Sequence, residues 1–92
     1  MDTLIRLREV TRRYDNDAAP VWCEALFASG LQSSDAPTAD TVAEAITIAI
    51  RQFGIRGCVA RMAQEFGDHP EAAAERMRWV RRLAAGTLPA AA

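Results

Sequence analysis

Residues 38–54 have the sequence TADTVAEAITIAIRQFG, which is the most apolar helix-forming stretch of the chain. Within it, Glu44, Thr47 and Arg51 form a narrow polar strip, and apolar residues cover the rest of the helix circumference. A helix that is apolar over most of its surface lies at the centre of a bundle or faces a second subunit. We therefore predict that this helix, which ends at Phe53, is the central element of the fold.

On both sides of this stretch, apolar residues recur at steps of three and four, which predicts further helices. Glycines mark several helix ends. Gly30 and Gly54 are each followed by a hydrophobic residue, as in a C-cap with a left-handed glycine, and Gly67 ends the next helix. The predicted fold class is all-α, a compact bundle of about five helices. The predicted helices span residues 3–14, 20–29, 38 or 40 to 53, 56 or 57 to 66, and 68–85.

The start of the last helix is predicted from a capping pattern. Asp68 stands at the N-cap, Glu71 is the third residue of the helix, and Pro70 lies in the first turn, where its missing amide is not needed. Residues 1–85 are predicted to form a single helical domain. The remaining segment contains a helix stop and a proline, so residues 86–92 are predicted to be a disordered tail.

The predicted core combines aromatic and aliphatic residues from four helices. Arg76 interrupts the apolar face of the last helix, and two interpretations stay open. In the first, its aliphatic carbons pack along the edge of the core and its guanidinium is in water. In the second, its guanidinium pairs with Glu24, Asp40 or Glu44.

The predicted apolar stripe of the fourth helix is Val59, Met62, Ala63 and Phe66. The predicted core is Trp22, Phe27, Ile46, Ile50, Phe53, Met62, Phe66, Met77, Trp79 and Val80.

Half of the 92 residues are apolar and a quarter are charged, as in an ordinary globular protein. All eleven basic residues are arginine and nineteen residues are alanine, a bias that indicates a GC-rich bacterial genome. The net charge is −1, but residues 1–50 hold four arginines and eight acids (−4), whereas residues 51–92 hold seven arginines and four acids (+3). An anionic partner is therefore expected to meet the C-terminal half.

No apolar stretch is long enough to span a bilayer, and the N-terminal arginines are not followed by an apolar run or a cleavage site. We therefore expect a cytoplasmic protein that does not contact a membrane. In that compartment Cys23 and Cys58 are predicted to be reduced thiols, with a disulfide as the alternative.

The sequence lacks the patterns that accompany catalysis. The single histidine, His69, lies at a predicted helix N-terminus, and neither cysteine has a base near it in the sequence. Phosphate-binding glycine loops, paired-histidine metal motifs and nucleophile elbows do not occur. We expect no enzymatic activity, no cofactor, no metal and no small-molecule ligand.

Residues 60–80, ARMAQEFGDHPEAAAERMRWV, resemble a helix-turn-helix unit of the transposase and repressor kind. Ala63 lies four residues before the turn glycine, Gly67, and a second helix follows. The sequence departs from the family pattern at Asp68 and Arg76, where the family has hydrophobic residues. Glutamates also occupy the leading end of the second helix, where they repel phosphate.

This resemblance implies a DNA-binding regulator that uses residues 57–85, with Arg78, Arg81 and Arg82 as contacts to nucleic acid. The alternative is an ordinary helical hairpin whose arginines are solvated. The stretch from Gly57 onward also resembles one in small actinobacterial proteins of unknown function, which implies no activity.

The sequence favours a helical protein-interaction module over the DNA-binding regulator. The central helix and the apolar side of the last helix offer more apolar surface than so small a bundle covers. The expected partner is another protein or a second copy of the chain, as in a homodimer. DNA is the alternative partner.

Overall fold

The computed structural model of the protein describes residues 18–88, and for residues 18–20 it describes the backbone alone. This part of the chain is all-helical, as predicted. A 3-10 turn at Ser33–Asp35 lies in the loop between the first two α-helices. The α-helices are α1 (Ala18–Ala28), α2 (Ala39–Asp68) and α3 (Pro70–Thr87).

The prediction of about five helices is wrong, because residues 18–88 contain three α-helices. The helix predicted for residues 3–14 lies outside the described residues. The two helices predicted on either side of Gly54 form one element, α2, in which Gly54 introduces a kink with φ 73° and ψ 165°. The positive φ predicted for this glycine is present, but the chain resumes a helical conformation immediately after it.

The C-terminus of α1 is closed by a serine and not by a glycine. Gly30 does not have the predicted left-handed conformation, since Gly54 is the one glycine with positive φ among the described residues. Instead, the hydroxyl of Ser29 donates to the carbonyl oxygen of Leu26 at 2.6 Å, and the amide of Leu31 donates to the Ser29 hydroxyl at 3.3 Å. The Ser29 side chain thus forms hydrogen bonds with backbone groups at the end of α1, where a left-handed glycine was expected to provide them through the backbone.

The junction between α2 and α3 differs from the predicted capping box. Helix α2 continues past Gly67 to Asp68, and the N-cap of α3 is His69, whose side chain makes no capping hydrogen bond. The physical reason is Pro70, which disfavours a helical conformation in the residue before it. His69 accordingly has φ −140° and ψ 69°, and α3 begins at Pro70 as a first-turn proline.

Helix α3 is longer than predicted, since it passes Ala85 and ends at Thr87. The amide of the C-cap, Leu88, donates to the carbonyl oxygen of Ala84 at 2.9 Å, and its half-buried side chain packs against the core. The first three residues of the predicted tail therefore belong to α3 and its C-cap. Residues 89–92 lie outside the described residues.

The core lies between α1, the first half of α2 and one face of α3. Four predicted core residues are less buried than expected: Phe53, Met62 and Trp79 are half-buried, and Phe66 is exposed. The predicted core residues that are buried are Trp22, Phe27, Ile46, Ile50, Met77 and Val80. The buried hydrophobic residues outside that predicted list are Val21, Ala25, Leu26, Val42, Ala43, Ala49, Cys58 and Ala73.

The polar strip predicted for the central helix is rotated in the structure. Thr47 is buried, and its hydroxyl donates to the carbonyl oxygen of Ala43 at 2.9 Å. Ile48, predicted to lie on the apolar face, is 54% exposed and lies on the same side as Glu44 and Arg51. Two other helices pack against α2, so a wider arc of its surface is buried than the polar residues alone indicate.

Beyond the kink, α2 is mostly exposed. Cys58 is the buried residue of this segment, whereas Ala63 of the predicted stripe is exposed. The Cys58 thiol donates to the carbonyl oxygen of Ala49 at 3.6 Å, across the kink. Both cysteines are free thiols, as predicted.

Candidate functional site

A groove of about 1010 Å³ opens on the side of the molecule where the end of α1 meets the second half of α2 and α3. Four arginines and two glutamates line it, a formal balance of +2. The lining residues are 27–33 from α1 and the following loop, Arg61, Gln64 and Glu65 from α2, and Ala72, Glu75, Arg76, Arg78, Trp79 and Arg82 from α3.

Arg76 connects α3 to the end of α1. Its Nε donates to the carbonyl oxygen of Phe27 at 2.9 Å, and its terminal nitrogen donates to those of Ser29 at 3.0 Å and Leu26 at 3.5 Å. These carbonyls lie at the C-terminal end of a helix, where the dipole favours a positive charge. Within residues 18–88, Arg76 forms no ion pair with the carboxylates that we considered as partners, and its guanidinium donates to backbone carbonyl oxygens instead.

The surroundings of Arg76 are partly apolar. Its guanidinium carbon lies 5.5 Å from the ring centre of Phe27 and 5.4 Å from that of Trp79. Burial lowers the pKa of Arg76, and the carboxylate of Glu65 partly offsets that effect. Because its Nε and one terminal nitrogen already donate to backbone carbonyl oxygens, Arg76 supports the floor of the groove structurally.

Two other arginines of the groove are free to bind an incoming group. Arg78 and Arg82 are exposed, and neither forms an ion pair, hydrogen bond or ring contact within residues 18–88. They lie one helical turn apart on α3, so their guanidinium groups point to the same side. A guanidinium binds a carboxylate or a phosphate through two parallel hydrogen bonds.

Arg61 lies on α2, which forms the opposite wall of the groove. Its guanidinium carbon is 4.1 Å above the ring centre of Phe53, a cation–π contact that holds the side chain against α2. Sequence patterns did not connect Arg61 with the arginines of α3. Only the packing of the two helices brings it to the same groove.

Two of the three arginines predicted to contact nucleic acid line the groove. Arg78 and Arg82 line the groove, whereas Arg81 is absent from its walls and lies near α1. Burial raises the pKa of the Cys23 thiol, and the positive charge of Arg81 partly offsets that rise. At 100° per residue, Arg81 and Arg82 point in directions about 100° apart.

The segment that resembles a helix-turn-helix spans the end of α2 and the start of α3. His69 alone separates the two helices. Glu71 and Glu75 are exposed near the start of α3, and Glu75 lines the groove. Negative charge therefore lies beside the two arginines that face the groove.

Phe66 contributes an apolar contact near the groove. It is 36% exposed, and its ring stacks on that of Phe27 with 5.8 Å between the ring centres. Phe27 and Trp79 together give the groove an aromatic floor beneath its charged rim. The site thus combines apolar contact area with two unpaired cations.

Within residues 18–88, no three His, Cys, Asp or Glu side chains are arranged to hold a metal ion. None of the three described helices combines the length and the apolar character that crossing a membrane requires.

Comparison with protein-family models, with curated proteins and with solved structures gives no match to this chain.

Proposed function

We propose that this chain is a helical protein-interaction module, and that the arginine-lined groove is its binding surface. The observation that carries the proposal is the pair Arg78 and Arg82, which line a groove with an aromatic floor and have no partner within residues 18–88. Interfaces are enriched in arginine and aromatic residues, which supply charge-assisted hydrogen bonds and apolar contact area.

The chemistry of the groove selects an acidic helical segment as the bound partner. Two guanidinium groups one turn apart are about 6 Å apart along the helix axis, since each residue advances 1.5 Å. Two carboxylates at positions i and i+4 of a partner helix have the same spacing. The aromatic floor then accommodates an apolar side chain on the same face of the partner helix.

Selection from a displayed library of random peptides tests this function. We expect the wild-type protein to enrich peptides with acidic residues at positions i and i+4. The double variant Arg78→Glu/Arg82→Glu should lose that enrichment, because its groove repels carboxylates. The matched control is Arg81→Glu, which makes the same charge reversal on the same helix outside the groove and should enrich the same peptides as wild type.

Two results would overturn the proposal. One is the absence of any enriched peptide class with the wild-type protein. The other is equal enrichment with the wild-type protein and with the double variant, since binding would then not use the groove.

The second candidate function is a helix-turn-helix DNA-binding regulator that uses residues 57–85. The observation that favours it is the exposure of Arg78, Arg81 and Arg82. It ranks second because Glu65 and Glu75 line the same groove as two of these arginines. Carboxylates at that position repel the phosphate groups that supply most of the affinity for DNA.

Fluorescence anisotropy of a labelled random-sequence duplex separates the two functions. A DNA-binding regulator would show saturable binding that weakens steeply between about 50 and 200 mM salt. The interaction module predicts no change in anisotropy at either salt concentration.

A further inference from the structure

A second charged strip lies on the exposed face of α2. Asp40, Glu44, Ile48 and Arg51 are all exposed and occupy positions i, i+4, i+8 and i+11 of the helix. These spacings place them in one row along the helix surface. We call this row the α2 strip, and it contains two acidic residues, one apolar residue and one basic residue in that order.

The row on α3 that includes the groove arginines has the complementary order. Read from the C-terminal end of the helix, Arg82, Arg78, Ala74 and Glu71 occupy positions i, i−4, i−8 and i−11. We call this row the α3 strip. It contains two basic residues, the half-buried Ala74 and the acidic Glu71, and each of these positions is opposite in charge to, or apolar like, its counterpart on α2. Glu75, a further acid that lines the groove, lies beside this row at i−7.

We propose that the α3 strip, of which Arg78 and Arg82 line the groove, binds α2 of a second copy of this chain, with the α2 strip of one copy lying antiparallel along the α3 strip of the other. The register pairs Asp40 with Arg82 and Glu44 with Arg78. It also places Ile48 against Ala74. This inference rests on the proposed function, because it names the acidic helix that the groove takes.

The spacing supports this register over others. The carboxylates of Asp40 and Glu44 and the guanidinium groups of Arg78 and Arg82 have the same separation along their helices, about 6 Å. In the antiparallel direction the fourth position pairs Arg51 with Glu71, a further opposite-charge contact. In the parallel direction, Asp40 would pair with Arg78 and Glu44 with Arg82. Ile48 would then lie opposite Gly86, which has no side chain for it to contact.

The charges of the two strips are not paired by residues 18–88 of the same copy. Among the described residues, Asp40, Glu44, Arg78 and Arg82 form no ion pair or hydrogen bond, and no residue of the α2 strip lines the groove. Of the large hydrophobic residues that the structure describes, Ile48 is the most exposed. A contact between copies removes this apolar side chain from water and pairs all the charges.

Sedimentation equilibrium of the purified full chain and of charge-reversed variants at low salt tests the proposal. Arg78→Glu/Arg82→Glu reverses the α3 strip, and Asp40→Arg/Glu44→Arg reverses the α2 strip. We expect wild type to self-associate reversibly and each double variant alone to associate roughly tenfold more weakly or worse, because like charges then face each other.

An equimolar mixture of the two double variants should recover association, since every reversed strip then meets a complementary one. The chain that carries all four substitutions should recover it as well, for the same reason. Arg81→Glu, which lies outside both strips, should associate like wild type. Circular dichroism of each variant checks that its helix content equals that of wild type.

The proposal is overturned when the wild-type chain remains a monomer at high micromolar concentration. It is also overturned when the mixture of double variants stays monomeric, or when Arg81→Glu weakens association as much as the α3 double variant does. A monomeric wild-type chain that still selects acidic peptides through Arg78 and Arg82 would contradict the self-pairing and leave the interaction module intact. Loss of the peptide selection would contradict the interaction module itself.

Discussion

The guanidinium of Arg76 joins two helices whose contacting residues are 47 to 50 positions apart in the chain. It binds carbonyl oxygens at the C-terminal end of α1, and it lies close to the rings of Phe27 and Trp79. Hydrogen bonds from a charged donor to such groups contribute more than those between neutral groups.

Replacing Arg76 by methionine is expected to lower the free energy of unfolding by about 1–2 kcal/mol. Methionine keeps the length of the aliphatic part of the side chain, but the carbonyl oxygens of Phe27 and Ser29 lose this donor. Because Arg76 is only half-buried, water replaces part of the lost interaction and the expected change in free energy is modest. Urea denaturation followed by tryptophan fluorescence measures the change. Arg76→Lys keeps the charge and should retain part of the stability, whereas an unchanged midpoint for the methionine variant would contradict this role.

Cys58 is expected to stay a protonated thiol at neutral pH. Burial and the negative charge of Glu24 raise the pKa of the Cys58 thiol, and Arg61 offsets only part of that rise. Because the folded state favours the protonated form, the associated stability is present below the ordinary thiol pKa of about 8.5 and is lost as pH rises through the raised value.

Alkylation by iodoacetamide checks this expectation, with the modified cysteine identified by mass spectrometry. In the native protein at neutral pH, Cys58 should react far more slowly than in urea, and its rate should rise only at alkaline pH. Equal rates for native and unfolded protein at neutral pH would contradict a buried, protonated thiol.

At the scale of the helices, the kink in α2 determines which residues reach the groove. Gly54 has φ 73°, a conformation that residues with a Cβ rarely adopt. The segment that follows the kink carries Arg61 and Glu65 to one wall of the groove and Cys58 to the core. The conformation of Gly54 therefore determines where both the buried Cys58 and the groove residues Arg61 and Glu65 lie.

Gly54→Ala is expected to destabilise the protein by about 1–2 kcal/mol, because the new side chain disfavours the positive φ. A Cβ at this position meets no atom within 4 Å, so the effect comes from the backbone and not from a clash. Thermal unfolding followed by circular dichroism measures it.

Gly67→Ala is the matched control for this prediction. Gly67 lies in the helical part of α2 without positive φ, and a Cβ there also meets no atom within 4 Å. Alanine should stabilise the helix at this position by up to about 1 kcal/mol. The same sign of change in both variants would show that the two glycines do not differ in the way the structure indicates.

At the scale of the whole molecule, charge is separated along the chain in a way that favours contact between copies. Residues 1–50 carry a net −4 (four arginines, eight acids) and residues 51–92 a net +3 (seven arginines, four acids). Within residues 18–88, exposed acids of α2 and exposed arginines of α3 are displayed on separate rows. Such a distribution accelerates and orients association when salt is low.

Self-association is therefore expected to weaken as the salt concentration rises. The screening length falls from about 10 Å at 0.1 M salt to about 3 Å at 1 M salt, which reduces the attraction between the exposed charges of the two strips. Sedimentation equilibrium at several sodium chloride concentrations measures the trend. Association that grows stronger with salt would indicate that an apolar contact, and not the charged strips, holds the copies together.

Local patterns predicted the helices and several of their details. Apolar spacing and propensity located the helical segments, although the two helices predicted on either side of Gly54 form one helix. Thr38, one of the two predicted starts of the central helix, is the N-cap of α2 and accepts a hydrogen bond from the amide of Thr41 at 3.2 Å. These features depend on residues within one turn of each other. Helix ends were less predictable. The end of α1 is formed by the Ser29 hydroxyl and not by Gly30, and the start of α3 is determined by Pro70 and not by Asp68.

The sequence by itself determined the helical class, the location of the central apolar helix and the exposure of Arg78, Arg81 and Arg82, because each follows from short-range periodicity. Only the tertiary structure decided that Arg76 binds the end of α1 and that Arg61 faces the same groove as Arg78 and Arg82. It also separated Arg81 from that group. These relations depend on how helices distant in sequence pack together, and helical periodicity contains no information about the neighbours that each face meets.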